Sequence, residues 1–557
     1  MEKIWLKHYQ AGVPENIQLN SYSSLVEMML ESCQQHKNRF AFTNMGVGIS
    51  FSELDKLSLA FASYCENICE IRRGDRFAIM LPNVLQYPVA MLGIHRAGGV
   101  VVNVNPMYTS HELNHLLEDS GAKAIIVLEN FAHTVEKACK GTKIKHIIVA
   151  KMGDLLGLMK GTLVNLVVKH VKKMVPHYTL PNVISFNKAL NLGRAREFNP
   201  PILTQDDIAY LQYTGATTAR AKGAILTHKN MVANVLQARA WIHPMTEAHS
   251  LQGGIITALP LYHIFSLTAN CLTFMNLGIT NILITNPRDI KGFINELKKH
   301  TFCAMTGVNT LFNALLNHSE FENVNFSHLR ITLGGGMAVQ RAVAEKWQQV
   351  TGRPLVEAYG LTEASPAVCI NPLNLMKYNG SIGLPISSTE ISIRDDKGTE
   401  LGFNTPGELW VRGPQVMKGY WEQPEVTKET LTSEGWLKTG DVATVDQDGY
   451  VRIVDRKKDL ILVSGFNVYP NEVEDVIALH PKVKEVAVVG MPAGVRGEIV
   501  KAFIVRKDLS LDEHSIIEHC KQYLTSYKIP KIVEFRNELP KTNVGKVLRR
   551  ELREKVS

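Results

Sequence analysis

Residues 213–223 read YTGATTARAKG: Thr214, Thr217 and Thr218 supply hydroxyls, Gly215 removes a side chain, and Lys222 brings a positive charge near the end of the run. Such a loop can lay backbone N–H groups and hydroxyls against phosphate oxygens, because nothing bulky intervenes. It is not the ordinary phosphate-binding loop. Counted from Gly215, that pattern needs glycine where Arg220 stands and a serine or threonine after its lysine. Taken alone, the same residues also read as a surface turn.

The flanking elements favour the chemical reading. A strand-like apolar run, residues 208–211, precedes the loop, and Val232, Val235 and Leu236 recur at helical spacing behind Thr227, predicting a helix from Met231 onward. Up to about residue 370, apolar runs at 78–80, 100–104, 124–127, 255–258 and 282–284 alternate with longer helical patterns. That alternation predicts α/β architecture with largely parallel sheets. After Gly383 the texture changes: turns at Asp396-Lys397-Gly398, Pro406-Gly407, Glu434-Gly435 and Asp448-Gly449 separate short alternating strands, as in an antiparallel hairpin-rich subdomain. From Asn471 a helical pattern leads to strands at 486–489 and 502–505, a small α+β domain. The expected organisation is a large N-terminal domain over 1–455 with stacked α/β sheets, an antiparallel β subdomain at about 384–455, and a C-terminal domain over 456–557. The charged stretch 455–459 is the natural joint.

The chain has 557 residues, too many for one ordinary core. With 45% hydrophobic and 20% charged residues it has globular rather than disordered composition. A net charge of +8 suits a polyanionic small substrate or an acidic membrane surface and is too diffuse to argue for nucleic acid. The eight cysteines are scattered, with Cys65 and Cys69 the nearest pair, so reduced buried thiols are expected rather than a metal site. MEKIWLKHYQ has no apolar signal core, and no uninterrupted run of about eighteen apolar residues occurs.

Further islands stand in order along the chain: PLYHIF at 260–265, GGG at 334–336, YGLTE at 359–363, WLKTGD at 436–441, DRKKD at 455–459, SGFNVYPNE at 464–472 and PKTNVGK at 540–546. Together with the loop they resemble the acyl-adenylate-forming (AMP-binding) superfamily. Residues 434–458 resemble the signature of its fatty-acyl-CoA synthetases, and within these the bacterial long-chain fatty-acid–CoA ligases. The resemblance runs from near the N-terminus to Leu552. It implies an AMP-forming acid–thiol ligase: a long-chain carboxylate attacks the α-phosphate of ATP, and coenzyme A then displaces AMP from the acyl-adenylate. Catalysis of that kind is largely positioning and charge neutralisation.

The same resemblance assigns roles. Glu363 with Thr214 would hold Mg²⁺, a hard cation that takes oxygen ligands. Thr214, Gly215, Thr217, Thr218 and Lys222 would meet phosphates. Tyr359 would stack on adenine, Gly334, Gly335 and Gly336 would let backbone approach the base, and Gly360 and Thr362 share that nucleotide-binding motif. Asp441 would accept the ribose hydroxyls and Arg456 would add a ribose or phosphate contact. Lys458 would be the hinge about which a mobile small domain turns between half-reactions. Lys546 would bridge carboxylate and α-phosphate, and Gly465 would lie under pantetheine. His263 is either the group at the carboxylate end of the acyl chain or a satisfied core histidine. Residues 264–277 with Gly307 and Val308 line an acyl tunnel or belong to the core.

Two positions depart from the family pattern: Ala216 and Ala219 stand where glycine is usual. A Cβ at a left-handed position costs roughly 1–2 kcal/mol. The alternatives therefore include a catalytically weakened or non-catalytic acyl- or nucleotide-binding homologue, and a ligase for another carboxylic acid. Residues 153–173, GDLLGLMKGTLVNLVVKHVKK, mix apolar residues near helical spacing with Lys160, Lys169, Lys172 and Lys173. This is either an ordinary packed helix or one lying on an anionic membrane. The expectation is a cytoplasmic enzyme, with peripheral membrane contact as the open option. The oligomeric state stays open, a homodimer included.

Overall fold

The computed structural model describes residues 2–214, 221–248, 251–463, 466–493 and 498–554. Gly215, Ala216, Thr217, Thr218, Ala219 and Gly465 lie outside the described residues.

Two large sheets carry the chain up to Pro385, and strand Gly419–Tyr420 returns later to the edge of one of them. One has eight strands, six of them parallel from Ile208–Tyr213 through Val100–Asn103, Arg76–Met80, Ala124–Leu128 and His146–Ala150 to Val183–Ser185. Its other edge turns antiparallel through Gly223–Thr227 and Gly419–Tyr420. The second sheet has nine strands, with a parallel centre running from Val356–Gly360 through Ile331–Gly334, Phe302–Gly307, Gly254–Thr257 and Asn281–Leu283 to Phe40–Asn44. Its central strands are buried along most of their length, as a sheet covered on both faces requires.

The covering helices are apolar where they meet the sheets. Helix Phe51–Asn67 buries Phe51, Leu54, Phe61, Tyr64 and Cys65. It starts at a reciprocal cap: the Ser50 hydroxyl accepts from the Glu53 N–H, and the Glu53 carboxylate accepts from the Ser50 N–H at 2.7 Å. The helix expected from Met231 begins three residues earlier and spans His228–Ala248. Thr227 and Asn230 exchange hydrogen bonds at its start, so Thr227 is the cap.

Beyond residue 385, four antiparallel strands, Glu390–Arg394, Gly407–Arg412, Leu437–Val445 and Val451–Arg456, form a third sheet. After Arg456 the chain builds a two-stranded ribbon and a three-stranded sheet packed with helices Pro470–Ala478, Glu513–Lys521 and Arg549–Glu554. These have their own apolar clusters around Ile477, Val488 and Ile504, and around Phe503 and Leu552.

The run 153–173 is not one regular helix. Helix Leu158–Leu166 passes into a single π turn, Val167–Val171. Gly153 sits against the Gly161 backbone so closely that a Cβ on Gly153 would lie 2.1 Å from the Gly161 carbonyl oxygen. Close approach therefore fixes both glycines.

Candidate active site

The carboxyl ends of the parallel strands and the third sheet enclose a cavity of about 970 Å³. One end is polar. Asp441 lies on strand Leu437–Val445 opposite Arg456 on strand Val451–Arg456, a register that sets the guanidinium Nε 3.1 Å from Asp441 Oδ1. The Tyr359 hydroxyl donates to Asp441 Oδ2 at 2.5 Å. Burial and the Asp441 charge push the Tyr359 phenol well above its ordinary range, so it stays protonated and keeps donating. The carboxylate is thus locked in orientation yet retains lone pairs facing the cavity.

Glu363 sits in the 3₁₀ turn Thr362–Ala364, its backbone carbonyl accepting from the Met417 N–H at 2.7 Å. One carboxylate oxygen accepts from the Tyr420 hydroxyl at 2.7 Å. The Lys222 ammonium stands 5.3 Å from the centre of the Tyr420 ring. Tyr420 therefore ties the acid to the lysine, a residue the motifs do not single out. The Thr214 N–H bonds the Lys222 carbonyl at 3.0 Å, which pins the two ends of the hydroxyl-rich loop together.

Gly335, Gly336, Gly360 and Thr362 line the same cavity, with Gly334 directly before them at the end of its strand. Gly336 has φ +76°, and a Cβ on Gly360 would fall 2.2 Å from the Pro366 carbonyl oxygen, so both positions demand glycine.

The residues after Arg456 contribute further charges. Lys546 and Lys458 both line the cavity. Burial, and next the Arg456 charge, push the Lys546 ammonium down to about 8. Burial and Arg456 also lower Lys458. The loop carrying Lys546 is seated on segments that follow strands of the nine-stranded sheet: the Arg288 guanidinium donates to Asn543 Oδ1 at 3.1 Å, and the hydroxyl of Thr310, in helix Asn309–Leu316, donates to the Gly545 carbonyl at 3.0 Å. His263 accepts from the Phe265 N–H through Nδ1 at 3.3 Å, leaving Nε2 as the protonated nitrogen of the neutral ring. Burial, and then Lys546, push it down to about 4.

The other end of the cavity is apolar. Alternate residues of adjacent strands face it: Ala304, Thr306 and then Val308 from one; Ile331, Leu333 and Gly335 from the next. Ile255, Ala304 and Ile331 share one level across the sheet. From Gly335 down to Ile331 is four residues of strand, about 13 Å. Helix His228–Ala248 faces them with Asn234, Ala238, Trp241 and Ile242. The polar groups of these walls are satisfied within the protein: Thr306 donates to Asn270 at 2.8 Å, Asn234 pairs with the Ala367 backbone at 3.0 Å, and the Trp241 indole donates to the Asn371 carbonyl at 3.0 Å. What remains facing the arm is hydrocarbon. Of the stretch 264–277, Ile264, Phe265, Thr268, Ala269 and Phe274 reach the cavity, whereas Leu267, Cys271, Leu272 and Met275 are core.

Family models for the AMP-binding enzyme and the AMP-binding enzyme C-terminal domain match residues 29–421 and 472–546. The chain belongs to the AMP-binding enzymes. A long-chain-fatty-acid–CoA ligase of Yersinia pestis is 56% identical over 557 residues, covering 100% of this chain and 98% of that protein. One from Escherichia coli O157:H7 is 55% identical over 554 residues with the same coverage. Among solved structures, the anthranilate CoA ligase AuaEII in complex with anthranoyl-AMP shares the fold, with a TM-score of 0.84 at 23% identity, covering 96% of this chain and 98% of that one. In this AMP-binding enzyme, every described residue that the motifs single out for the reaction faces or borders one cavity, across three sheets and the C-terminal loop.

Proposed function

We infer that the protein is an ATP-dependent long-chain fatty-acid–CoA ligase that forms acyl-CoA, AMP and pyrophosphate. The observation that carries this reading is the continuity of the cavity: a charged end fit for a nucleotide runs into a hydrocarbon arm, and Lys546 and His263 line the same cavity, close enough for the lysine charge to act on the ring. The acid binds with its chain down the arm, which leaves its carboxylate at the polar end.

There Lys546 offsets the negative charge that accumulates as a carboxylate oxygen attacks the α-phosphorus and the bond to pyrophosphate breaks. Asp441 accepts from the ribose hydroxyls, Tyr359 packs on the base, and Arg456 holds Asp441 in place. Neutral His263 donates from Nε2 toward the carboxylate end of the acyl group. Glu363 keeps one oxygen without a hydrogen bond among the described residues, and with the Thr214 hydroxyl it supplies a small hard-oxygen donor set. That set fits Mg²⁺, which takes one or two carboxylates and fills its shell with phosphates and water. Magnesium bound there would neutralise phosphate charge during adenylation.

The C-terminal unit then turns about Lys458, withdrawing Lys546 and presenting the Gly465 segment for coenzyme A. Pyrophosphate release with ATP and palmitate in the absence of coenzyme A, and thioester formation on adding it, tests the reading. Neither reaction with palmitate, but both with a short or aryl acid, would overturn the long-chain assignment.

A second observation supports contact with lipid. Leu158 and Met159 are each 88% exposed, and Leu163, Leu166, Val171 and Met174 project beside them. Lys169, Lys172 and Lys173 flank this apolar face, with Lys169 3.6 Å from Glu129. Solvent-facing hydrocarbon rimmed by lysine suits the anionic interface where long-chain acids partition. Among the described residues no helix is long and apolar enough to cross a membrane. The protein should bind anionic vesicles at low salt, and Leu158→Glu with Met159→Glu should abolish binding while sparing activity on octanoate. Unchanged binding would remove this face from the reading.

A further inference from the structure

Asp455 is fully buried near the end of strand Val451–Arg456, yet its carboxylate serves mainly the other side of the joint. It accepts from the following Arg456 N–H at 2.7 Å and from the Asn471 N–H, in the first turn of helix Pro470–Ala478, at 2.9 Å. It also stands 3.6 Å from Nη1 of Arg549.

Arg549 lies three residues beyond Lys546 and is the centre of a cluster. Its guanidinium donates to Asn471 Oδ1 at 2.6 Å and to both Glu474 carboxylate oxygens, at 2.8 and 2.9 Å, and reaches Asp459 at 3.5 Å. Arg553 also pairs with Asp459, at 3.4 Å. Every one of these partners except Asp455 follows Lys458 in the chain. A turn about Lys458 would therefore carry Arg549, Asn471, Glu474 and Asp459 away together, their mutual contacts intact. Asp455 would stay behind with the third sheet and lose two of its three partners.

We propose that Asp455 is a positioning residue for the first half-reaction, a latch that holds the C-terminal unit with Lys546 in the cavity by gripping Arg549 and the first turn of helix Pro470–Ala478. The asymmetry gives it direction. Stripping a buried carboxylate of its partners is unfavourable, so the Asp455 contacts weight the two arrangements toward the one in which the lysine is engaged. The contacts are also few, so the weighting is one that pyrophosphate departure and binding of a bulky thiol can overcome.

This inference rests on the ligase reading, and its test separates the two. In Asp455→Asn, which keeps the side-chain volume but turns an amide toward Arg549, acyl-AMP formation should fall about tenfold or more. Thioester formation from supplied acyl-AMP should be unchanged or faster. Arg549→Lys, which keeps the charge and stem, should show the same split at smaller amplitude. Combined, Asp455→Asn and Arg549→Lys should be less than additive in the first half-reaction and additive in the second.

Trypsin gives an activity-independent readout. Cleavage after Lys457 or Lys458 should accelerate in Asp455→Asn at an unchanged unfolding temperature. Equal losses in both half-reactions, or unaltered cleavage in both variants, would overturn the latch. If the unmodified protein lacked both half-reactions, the ligase reading would fail, and the cleavage rates would still decide whether Asp455 holds the joint closed.

Discussion

At the polar end of the cavity the functional groups come one or two at a time from four regions: Asp441 and Arg456 from the third sheet, Tyr359 and Glu363 from the end of the nine-stranded sheet, Tyr420 from the edge of the eight-stranded one, and Lys546 from the C-terminal loop. The apolar arm is walled the other way, by alternate residues of the same strands and by one helix, such as Ala304 and Thr306, or Ala238, Trp241 and Ile242. A site of single groups is sensitive to the loss of any one of them, because nothing else carries the same charge to the same place. A wall of hydrocarbon is sensitive to volume and largely indifferent to identity. Under the proposed function, the first half of the cavity decides whether chemistry occurs, and the second decides on what.

The sharpest way to break that contrast is at Lys546. Lys546→Ala should lower acyl-AMP formation by about a thousandfold, the scale for losing a group that meets developing charge. The rate of thioester formation from supplied acyl-AMP should be preserved. Loss of both would mean that the lysine serves the fold rather than the first step.

The arm should respond differently. Ala304→Phe fills the level shared with Ile255 and Ile331 and should reduce kcat/KM for palmitate by about a hundredfold while leaving octanoate within a few-fold. A uniform fall across chain lengths would show that the acyl chain lies elsewhere.

A smaller effect comes from pH. Burial and the Arg456 charge hold the free-enzyme Lys546 at about 8, below its ordinary range, so it is a cation below that pH and loses its charge above it. In the first half-reaction kcat/KM for ATP should decline as pH rises through about 8, by about fivefold over the next pH unit. Bound ATP adds negative charge, so kcat should hold to higher pH. A flat kcat/KM profile would refute the assignment of this charge to the first step.

The same contrast separates the residues that are legible in the sequence from those that are not. Asp441, Arg456, Glu363 and Lys546 are legible because each stands in a motif, WLKTGD, DRKKD, YGLTE or PKTNVGK, that resembles the superfamily's; taken alone, a lysine in a basic tail reads as solvated charge. Ala304, Ile331 and Trp241 are not, because a strand or helix residue facing a cavity has the same type and spacing as one facing the core. Tyr420 escapes for a related reason: its ring looks like packing, and only its hydroxyl reaches Glu363.

The fold divides similarly. Alternating strands and helices announce parallel sheets, and the turn glycines announce the antiparallel third sheet. Strand order is not written locally: Phe42 pairs with Asn281, across most of the large domain, through a register set by packing on both faces of the sheet. In residues 153–173 helical periodicity is visible in the sequence, but not that the apolar side faces solvent over a π turn.

The hydroxyl of Tyr420 is a joint between two sheets, since its strand closes the edge of the eight-stranded one while Glu363 follows the nine-stranded one. The nucleotide end thus works as a strain gauge for the seam between the sheets. On heating, the seam can open by a fraction of an ångström well before either hydrogen-bonded sheet melts. Inactivation should then precede the loss of secondary structure, with bound nucleotide, spanning the seam, drawing the two temperatures together.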